Sequence, residues 1–235
     1  MTTAVILAGG LGTRLRSTVS DLPKPMAPIN GRPFLEYQMD YWLAQGVSRF
    51  VLSVGYRREA IIDHFGTSYR GIPLNYAVEE TPLGTGGGLL VSAQFLDDEP
   101  TLVLNGDTFF EVDLHELKSF HELRHSKWTF SLFRANEAGR YMGMEALEGG
   151  QIVSLKSGTD QVGRLANGGI YLLQPDVLKA SGFKAGDKAS LEDDILNTLL
   201  VKKVPLYGRE FVGRFVDIGV PEDYCRAAEI LDVRS

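Results

Sequence analysis

The residues most able to do chemistry lie near the start of the chain, where a glycine cluster is followed by two cations. Gly9, Gly10 and Gly12 come directly after a short apolar run, and Arg14 and Lys24 follow them. Glycines carry no Cβ, so their backbone N–H groups can approach an anion closely. Lys24 stands between two prolines, which restrict its backbone. The pattern predicts a buried strand that ends in a phosphate-binding loop with two fixed cations beside it.

The glycine cluster matches neither of the two common phosphate-loop motifs. The dinucleotide fingerprint requires a glycine where Leu15 stands, and no Gly-Lys-Ser/Thr sequence closes the loop as in a Walker A motif. Taken alone, the segment is also typical of an ordinary strand–loop turn. The fixed cations that follow favour a site for a phosphorylated ligand.

Candidate metal ligands are carboxylates rather than histidines. Asp107 comes directly after the apolar run 101–105. A carboxylate in that place suits Mg²⁺, although a strand-end aspartate can also simply cap a turn. His121 and His125 have the i, i+4 spacing of metal ligands, but they lie among charged residues. For them, and for His115, we predict a solvated helix face.

The elements that must position these residues alternate between strand and helix. Apolar runs predict strands at residues 4–8, 49–54, 74–78, 101–105, 128–134, 151–156, 168–173 and 211–218. Helices are predicted at 33–46, 57–65, 85–95 (with Thr85 as cap), 113–125, 191–200 (with Ser190 as cap) and 221–231. Such alternation predicts an α/β fold with an open, doubly wound sheet. Ligands bind at the carboxyl ends of such strands, where segments 9–14, 79–88 and 106–107 fall.

The opening segment resembles the signature of a known family. Gly-Gly-x-Gly-Thr-Arg-Leu at 9–15 and Pro-Lys-Pro at 23–25 resemble the sugar-1-phosphate nucleotidyltransferases, and the resemblance covers essentially the whole chain. It implies a Rossmann-like nucleotidyltransferase fold, with a mostly parallel mixed sheet flanked by helices in three layers. It also implies one catalytic domain over 1–235, with a nucleotide-binding part at about 1–112 and a sugar-binding part at about 113–235.

The resemblance further implies a reaction and its residues. A sugar 1-phosphate attacks the α-phosphate of a nucleoside triphosphate, pyrophosphate leaves, and a nucleotide sugar forms. Arg14, Lys24 and Asp107 are implied to be catalytic, and Mg²⁺ is implied to bind Asp107 and Asp217. The implied nucleotide-binding residues are Leu7, Ala8, Gly9, Gly10, Gly12, Thr13, Arg14, Lys24, Glu80, Gly84, Thr85 and Gly106. The implied sugar-binding residues are Gly143, Lys156, Asn167 and Glu192.

One part of the family pattern is missing on the sugar side. Many relatives carry a Glu-Lys pair before the sugar-binding strand. If Lys156 is the matching lysine, Leu155 stands where the glutamate is expected. If the register is shifted, both members of the pair are missing.

Within the family, residues 21–37 and the short chain most resemble guanylyltransferases that act on D-glycero-α-D-manno-heptose 1-phosphate. That resemblance implies GTP as donor and a GDP-heptose for bacterial surface polysaccharide, either capsule or lipopolysaccharide. The nearest alternatives are mannose-1-phosphate guanylyltransferases and short uridylyltransferases acting on amino-sugar phosphates. A nucleotide-sugar glycosyltransferase would be expected to carry an Asp-x-Asp motif, which is absent at Asp107. A non-catalytic nucleotide-sugar sensor would be expected to have lost the cations or the carboxylates.

Composition excludes several other classes of protein. The chain has 235 residues, 44% apolar and 23% charged, with a net charge of −6, which argues against a nucleic-acid partner. The opening apolar run is too short for a signal peptide, and no stretch has the length of a membrane span. The single cysteine, Cys225, fits a reducing compartment. We therefore expect a cytoplasmic protein with no membrane partner, which could dimerise through its C-terminal helix.

Overall fold

The first strand of the chain lies at the centre of the fold. The structure, a computed structural model, describes residues 1–10, 22–156 and 161–231. In strand β1 (Thr2–Leu7) every residue up to Ile6 is buried. A strand buried on both faces reads as a continuous apolar run, because neither face meets water. The sequence after Thr3 has that character.

The other elements include every predicted helix and a strand at each predicted strand position, in the predicted order, together with several short ones that were not predicted. The remaining strands are β2 (Pro28–Ile29), β3 (Arg32–Pro33), β4 (Val47–Val54), β5 (Ser68–Tyr69), β6 (Ile72–Val78), β7 (Thr101–Asn105), β8 (Thr108–Phe110), β9 (Trp128–Arg134), β10 (Gly143–Ala146), β11 (Ile152–Lys156), β12 (Leu165–Leu173), β13 (Leu206–Glu210) and β14 (Phe215–Asp217). The α-helices are α1 (Phe34–Ala44), α2 (Arg58–Phe65), α3 (Gly84–Ser92), α4 (Leu114–Leu123), α5 (Val177–Ser181), α6 (Asn197–Val201) and α7 (Pro221–Leu231). Short 3-10 turns lie at Lys24–Met26 and Ala93–Phe95, and a π-helical turn at Leu191–Leu196 leads into α6. Among these described helices, none is long and apolar enough to cross a membrane.

Ten of the described strands form one mixed sheet. Its order is β11-β10-β12-β7-β1-β4-β6-β5, and β9 joins β12 to β13. The pairs that β1 makes with β4 and β7, and that β4 makes with β6, are parallel. Strand β12 runs antiparallel to both β7 and β9. The predicted α/β class with a mostly parallel mixed sheet is confirmed.

Helices cover both faces of this sheet, as the alternation of side chains along the strands requires. Ala4 and Ile6 of β1 pack into one apolar cluster with residues of α1 and α4. Val5, between them, points the other way into a second cluster with residues of α3, α5 and α6. Fully burying one large apolar side chain contributes about 1.5–3 kcal/mol, so each cluster holds its helices firmly on the sheet. The result is the three-layer arrangement that the sequence analysis predicted.

A small ribbon of two strands lies beside the main sheet. In it, β14 pairs antiparallel with β8, so that Asp217 stands opposite Thr108. Helix α7 packs on the ribbon through a third apolar cluster that contains Ala227, Val216 and Ile218. The ribbon therefore brings a late segment of the chain to the carboxyl end of β7.

One of the strand predictions needs correction, and several short elements were missed. The strand predicted at 211–218 is observed only as β14, and the preceding β13 was not predicted. Strands β2, β3, β5, β8 and β10 and helix α5 were also missed. These elements, with β13 and β14, have two to five residues each, which is too short for a periodic pattern to be distinguished from a loop.

The histidines of α4 do not share one environment. His115 and His125 are exposed as predicted, but His121 is buried, and its Nδ1 lies 2.8 Å from Thr129 Oγ1 of β9. The prediction of a solvated position was wrong for His121, because the apolar stripe of α4 continues through Leu117 onto this residue. Burial, with a smaller contribution from Lys127, lowers the pKa of His121 to about 4.

Burial of His121 predicts an acid sensitivity of folding. Its pKa is lower in the folded chain than the ordinary 6.5, so the unfolded chain binds the proton more readily as the pH falls below that value. The stability that the neutral ring contributes is present above about pH 6.5 and is lost as the pH falls towards 4. We expect His121→Gln to remove about 1–3 kcal/mol of the decrease in unfolding free energy between pH 7 and pH 4.5.

The measurement is urea unfolding at several pH values for wild type and variant. His115→Gln, on the exposed face of the same helix, is the matched control and should keep the wild-type slope. Equal slopes for all three proteins would show that His121 is not buried in its neutral form.

Candidate active site

A cavity of about 640 Å³ opens at the carboxyl ends of β1, β4, β6 and β7. The residues that line it are Leu7, Ala8, Gly9, Gly10, Lys24, Pro25, Ser53, Glu79, Pro82, Gly84, Thr85, Gly88, Asn105, Gly106, Asp107, Thr108, Lys188 and Asp217. This edge of the sheet is where open α/β sheets bind their ligands. Most of the residues predicted to bind the nucleotide lie in the cavity wall. Of the others, Gly12, Thr13 and Arg14 lie outside the described residues.

One lysine and two carboxylates meet at one point of the cavity. Lys24 Nζ lies 2.8 Å from Asp107 Oδ2. A Cβ built on Gly219 would lie 2.7 Å from both Lys24 Nζ and Asp217 Oδ1, and 3.3 Å from Asp107 Oδ2. All three charged groups therefore converge beside Gly219. The structure brings together Lys24, Asp107 and Asp217, which were predicted from three distant parts of the sequence.

Each of the three groups is held by its own backbone element. Lys24 opens a 3-10 turn whose next two residues, Pro25 and Met26, are buried. Asp107 lies in the turn between β7 and β8, and its carbonyl accepts a hydrogen bond of 2.9 Å from the Ile218 N–H. The Asp217 carboxylate accepts one of 2.7 Å from the Gly219 N–H. The bond from Ile218, the residue after Asp217, to the Asp107 carbonyl links the two segments, and so keeps the two carboxylates close despite their like charge.

The electrostatics of this cluster favour a bound cation. Burial and the negative charge of Asp107 together raise the pKa of Asp217 to about 6, although the Gly219 N–H, Lys24 and Arg140 act in the opposite direction. A divalent cation between the carboxylates would remove that repulsion. Among residues 1–10, 22–156 and 161–231, no group of three or more metal-ligating side chains is found. Two carboxylates nevertheless fit Mg²⁺, which commonly completes its shell with water and substrate phosphates.

Glu79, not the neighbouring Glu80, forms part of the cavity wall. Glu79 is buried, and its carboxylate accepts hydrogen bonds of 3.1 Å from Ser53 Oγ and from the Leu83 N–H. Burial raises the pKa of Glu79, and the two hydrogen bonds oppose that shift. The Glu80 side chain is 78% exposed and pairs with Arg58 at 3.1 Å. The chain bends at Glu80, just after the end of β6, and only Glu79 of the two glutamates lines the cavity.

Small residues make room for the Glu79 carboxylate. A Cβ on Gly9 would lie 2.4 Å from Glu79 Oε1, and one on Gly88 would lie 2.7 Å from the same atom. The glycines around this site therefore do more than expose backbone N–H groups to an anion. They also allow a carboxylate to sit between the first loop and helix α3.

Thr85, in the first turn of α3, connects that helix to the π-helical turn Leu191–Leu196. Its hydroxyl accepts a hydrogen bond of 2.9 Å from the Leu191 N–H and donates to Glu192 Oε2 at 3.3 Å. The prediction that Thr85 caps α3 was wrong, because α3 begins at Gly84 and the Thr85 hydroxyl is used in this contact. Ser190 does cap the π-helical turn as predicted, since its hydroxyl accepts from the Asp193 N–H at 3.1 Å.

Residues predicted to bind the sugar fall into two groups. Asn167 Nδ2 donates to the hydroxyl of the buried Tyr171 at 2.8 Å, and Glu192 bonds to Thr85 in the cavity wall. Burial raises the pKa of Glu192. Gly143 and Lys156 stand opposite each other in β10 and β11. None of these four predicted residues is part of the cavity wall. Lys156 is exposed and pairs with Glu145 at 2.5 Å.

Several cavity residues were missed in the sequence analysis. Lys188 lies in the loop before Ala189 and lines the cavity next to Pro82 and Thr85. A lone lysine in an irregular loop carries no pattern that would single it out. Asn105 and Ser53 are polar residues at or near the ends of β7 and β4, and a search for polar side chains at strand ends could have found them.

Comparison with known proteins agrees with this fold. The chain belongs to the nucleotidyl transferase family, whose model matches residues 3–233. It is 41% identical to D-glycero-alpha-D-manno-heptose 1-phosphate guanylyltransferase of Campylobacter jejuni, over 94% of this chain and 96% of that one. The enzyme of the same name from Aneurinibacillus thermoaerophilus is 38% identical over 97% of both chains.

A solved structure shows the same likeness in three dimensions. The crystal structure of HddC from Yersinia pseudotuberculosis superposes with a TM-score of 0.83 and 33% identity, covering 97% of this chain and 99% of that one. HddC complexed with GMP-PN gives the same values. The predicted membership of the nucleotidyltransferases is therefore confirmed.

The convergence beside Gly219 predicts the effect of adding one methyl group there. In Gly219→Ala the methyl would push aside Lys24 Nζ and Asp217 Oδ1, which are the ends of movable side chains. We expect the variant to fold with a nearly unchanged melting temperature and to lose at least about tenfold in turnover, since a misplaced charge in such a site is costly. The measurement is pyrophosphate release alongside thermal unfolding. Wild-type turnover in Gly219→Ala would contradict the proposed convergence of the three charges.

Proposed function

We propose that the protein transfers a guanylyl group from GTP to D-glycero-α-D-manno-heptose 1-phosphate, releasing pyrophosphate and forming a GDP-heptose. The observation that carries this proposal is the convergence of Lys24, Asp107 and Asp217 in the cavity behind the Gly9–Gly10 loop. The choice of substrates is supported by the two relatives named for this reaction, which match over nearly their whole length.

The chemistry that these residues would perform is nucleotidyl transfer. A phosphate oxygen of the sugar phosphate attacks the α-phosphorus of GTP, and the bond from that phosphorus to the α,β-bridging oxygen breaks. The nucleophile is already an anion, so no general base is needed, and the protein must chiefly position the phosphates and neutralise their charge. Lys24 supplies one fixed positive charge, and we propose Arg14 as a second.

The cofactor proposed for this site is Mg²⁺. Asp107 and Asp217 are the residues that would hold it, because their carboxylates converge in the cavity wall next to the phosphate loop. When bound, the ion neutralises negative charge on the phosphates. Lys24, which already contacts Asp107, keeps that carboxylate oriented towards the same point.

Glu79 is the residue we propose for recognition of guanine. Two hydrogen bonds use only part of the acceptor capacity of a carboxylate, so Glu79 can still accept from a ligand in the cavity. Guanine presents two adjacent donors on its Watson–Crick edge, N1–H and the N2 amino group. Uracil offers one donor between two carbonyl oxygens, which a carboxylate would repel. We therefore transfer to Glu79 the nucleotide-binding role that the sequence analysis gave to Glu80.

The sugar phosphate is proposed to bind on the side of the cavity formed by the second half of the chain. Asn167 and Glu192 are the proposed contacts for its hydroxyl groups. Lys188 is a cation of the cavity wall and is proposed to take the place of the lysine expected at Lys156. In this proposal residues 1–112 bind the nucleotide and residues 113–235 bind the sugar, within one domain. Asp217 is the exception, because it is proposed to hold the metal ion that neutralises the phosphates.

The cellular setting completes the proposal. We propose that the enzyme works in the cytoplasm, on the route to a surface polysaccharide such as capsule or lipopolysaccharide. We also propose a homodimer, supported by the exposed apolar residues Val153, in the edge strand β11, and Leu147, in the turn before it. Light scattering of the purified protein would measure the oligomeric state.

A substrate matrix tests the proposed function. GTP, ATP, UTP, CTP and dTTP would each be combined with heptose, mannose, glucose and amino-sugar 1-phosphates, and pyrophosphate release would be measured. We expect the highest kcat/KM for GTP with the heptose phosphate. A preference for mannose 1-phosphate, or for UTP with an amino sugar, would move the protein to one of the alternative enzymes. No release from any pair would support a nucleotide-sugar sensor or a glycosyltransferase instead.

The role of Glu79 can be tested by exchanging its carboxylate for an amide. Glu79→Gln would present one donor and one acceptor, which mismatches guanine but matches N3–H and O4 of uracil. A mismatched buried hydrogen bond costs about 1–3 kcal/mol, so we expect kcat/KM for GTP to fall by about 10- to 100-fold relative to UTP. Glu80→Gln, on the exposed side of the same segment, is the matched control and should keep the wild-type preference. The reverse outcome, with Glu80→Gln altering the preference and Glu79→Gln not, would return the role to Glu80.

A further inference from the structure

A buried glutamine of helix α1 reaches the turn that carries Asp107. Gln38 is 1% exposed, and its Nε2 donates a hydrogen bond of 2.8 Å to the Asn105 carbonyl oxygen. The same nitrogen also donates to the Thr108 carbonyl oxygen. Asn105 is the last residue of β7 and Thr108 the first of β8. One side-chain amide therefore joins the two ends of the turn in which Asp107 lies.

The other fixed points of this turn are backbone hydrogen bonds to neighbouring strands. The Gly106 N–H donates to the Leu7 carbonyl of β1 at 3.1 Å, and the Asp107 carbonyl accepts from the Ile218 N–H at 2.9 Å. These contacts anchor the middle of the turn to the sheet and to the segment after β14. Gln38 closes its two ends from the helix side.

We infer that Gln38 is a positioning residue for Asp107, acting through the backbone of the turn. The inference rests on the proposed function of Asp107 as a metal ligand. Gln38 itself does not line the cavity and does not touch the carboxylate. Its role is to fix the position of the Asp107 backbone, so that the Asp107 carboxylate reaches the point that it shares with Lys24 and Asp217.

The chemistry of the side chain fits this role. An amide nitrogen carries two protons and can serve two carbonyl oxygens at once. The Gln38 Oε1 atom is buried and has no hydrogen-bond partner among the described residues. Leaving a buried oxygen in that state costs free energy, which a purely apolar residue of similar size would avoid. The glutamine is therefore better suited to holding the turn than to filling the core.

Helix α1 also contacts the segment that carries Lys24. The Phe34 N–H, at the start of the helix, donates to the Ala27 carbonyl at 3.0 Å, and Leu35 shares an apolar cluster with Met26 of the 3-10 turn. One rigid element thus supports both partners of the Lys24–Asp107 pair. Ligands held by rigid elements and supporting hydrogen bonds bind metals more tightly than unsupported ones.

The chain offers a matched control on the same helix. Gln45 also makes two hydrogen bonds to backbone, since its Nε2 donates to the Val112 carbonyl at 3.1 Å and its Oε1 accepts from the Leu114 N–H at 2.8 Å. Those contacts hold the start of α4, away from the cavity. A Gln→Met change at either position removes two backbone contacts and keeps the volume of the side chain.

The test measures metal binding directly, in addition to activity. Mn²⁺ binding to wild type, Gln38→Met and Gln45→Met would be followed by electron paramagnetic resonance in the presence of pyrophosphate. Pyrophosphate is released from any nucleoside triphosphate, so the measurement does not depend on the base or the sugar. Thermal unfolding would be recorded for the same samples.

We expect Gln38→Met to weaken Mn²⁺ binding by about 10- to 100-fold and to raise the Mg²⁺ concentration for half-maximal activity by a similar factor. Gln45→Met should lower the melting temperature to a similar extent and leave both metal measurements unchanged. If Gln38→Met does not fold, Gln38→Asn, which keeps the amide but shortens its reach, should show the same weakening.

Two outcomes would overturn the inference. One is wild-type Mn²⁺ affinity in a folded Gln38 variant, and the other is an equal loss of affinity in Gln38→Met and Gln45→Met. Failure of the proposed function is distinguishable from both, because it would appear in wild type as an absence of guanylyl transfer with any sugar phosphate.

Discussion

The repulsion between two carboxylates at the edge of the sheet is the constraint on which the rest of this structure depends. Asp107 and Asp217 are brought together in a partly buried place, and the raised pKa of Asp217 reflects both its burial and the charge of Asp107. Lys24 offsets part of that cost by pairing with Asp107. One lysine does not balance two ionised aspartates, so the cluster keeps a net negative charge.

Each of the three charged residues is held in place by a different part of the fold. The parallel strands β1 and β7 deliver Asp107, and the ribbon of β8 and β14, held down by α7, delivers Asp217. The turn at Lys24 is fixed by buried neighbours and by helix α1. None of these elements could supply the site alone. The cavity therefore contains residues from nearly the whole length of the chain, which is why the reaction cannot be assigned to one segment.

The sequence predicted the parts of the site that follow directly from local patterns. Gly9, Gly10 and Asp107 come after buried, largely apolar strands, and their place at the sheet edge follows from the α/β alternation. Glu79 was missed as a cavity residue because the sequence does not show which of two adjacent glutamates faces the cavity. That depends on the direction in which the chain leaves β6. His121 was misplaced because its charged neighbours in sequence are not its neighbours in space. Lys156 was chosen by family pattern, yet it is not part of the cavity wall and pairs with Glu145 instead.

The most direct test of the central claim is a crystal structure of the protein with Mn²⁺ and a non-hydrolysable GTP analogue, with the metal located by its anomalous scattering. We expect a manganese peak bound by the carboxylates of Asp107 and Asp217, with the triphosphate beside Lys24 and the guanine against Glu79. A manganese ion bound by neither aspartate, in a crystal in which the nucleotide occupies this cavity, would contradict the claim that these two carboxylates form the metal site.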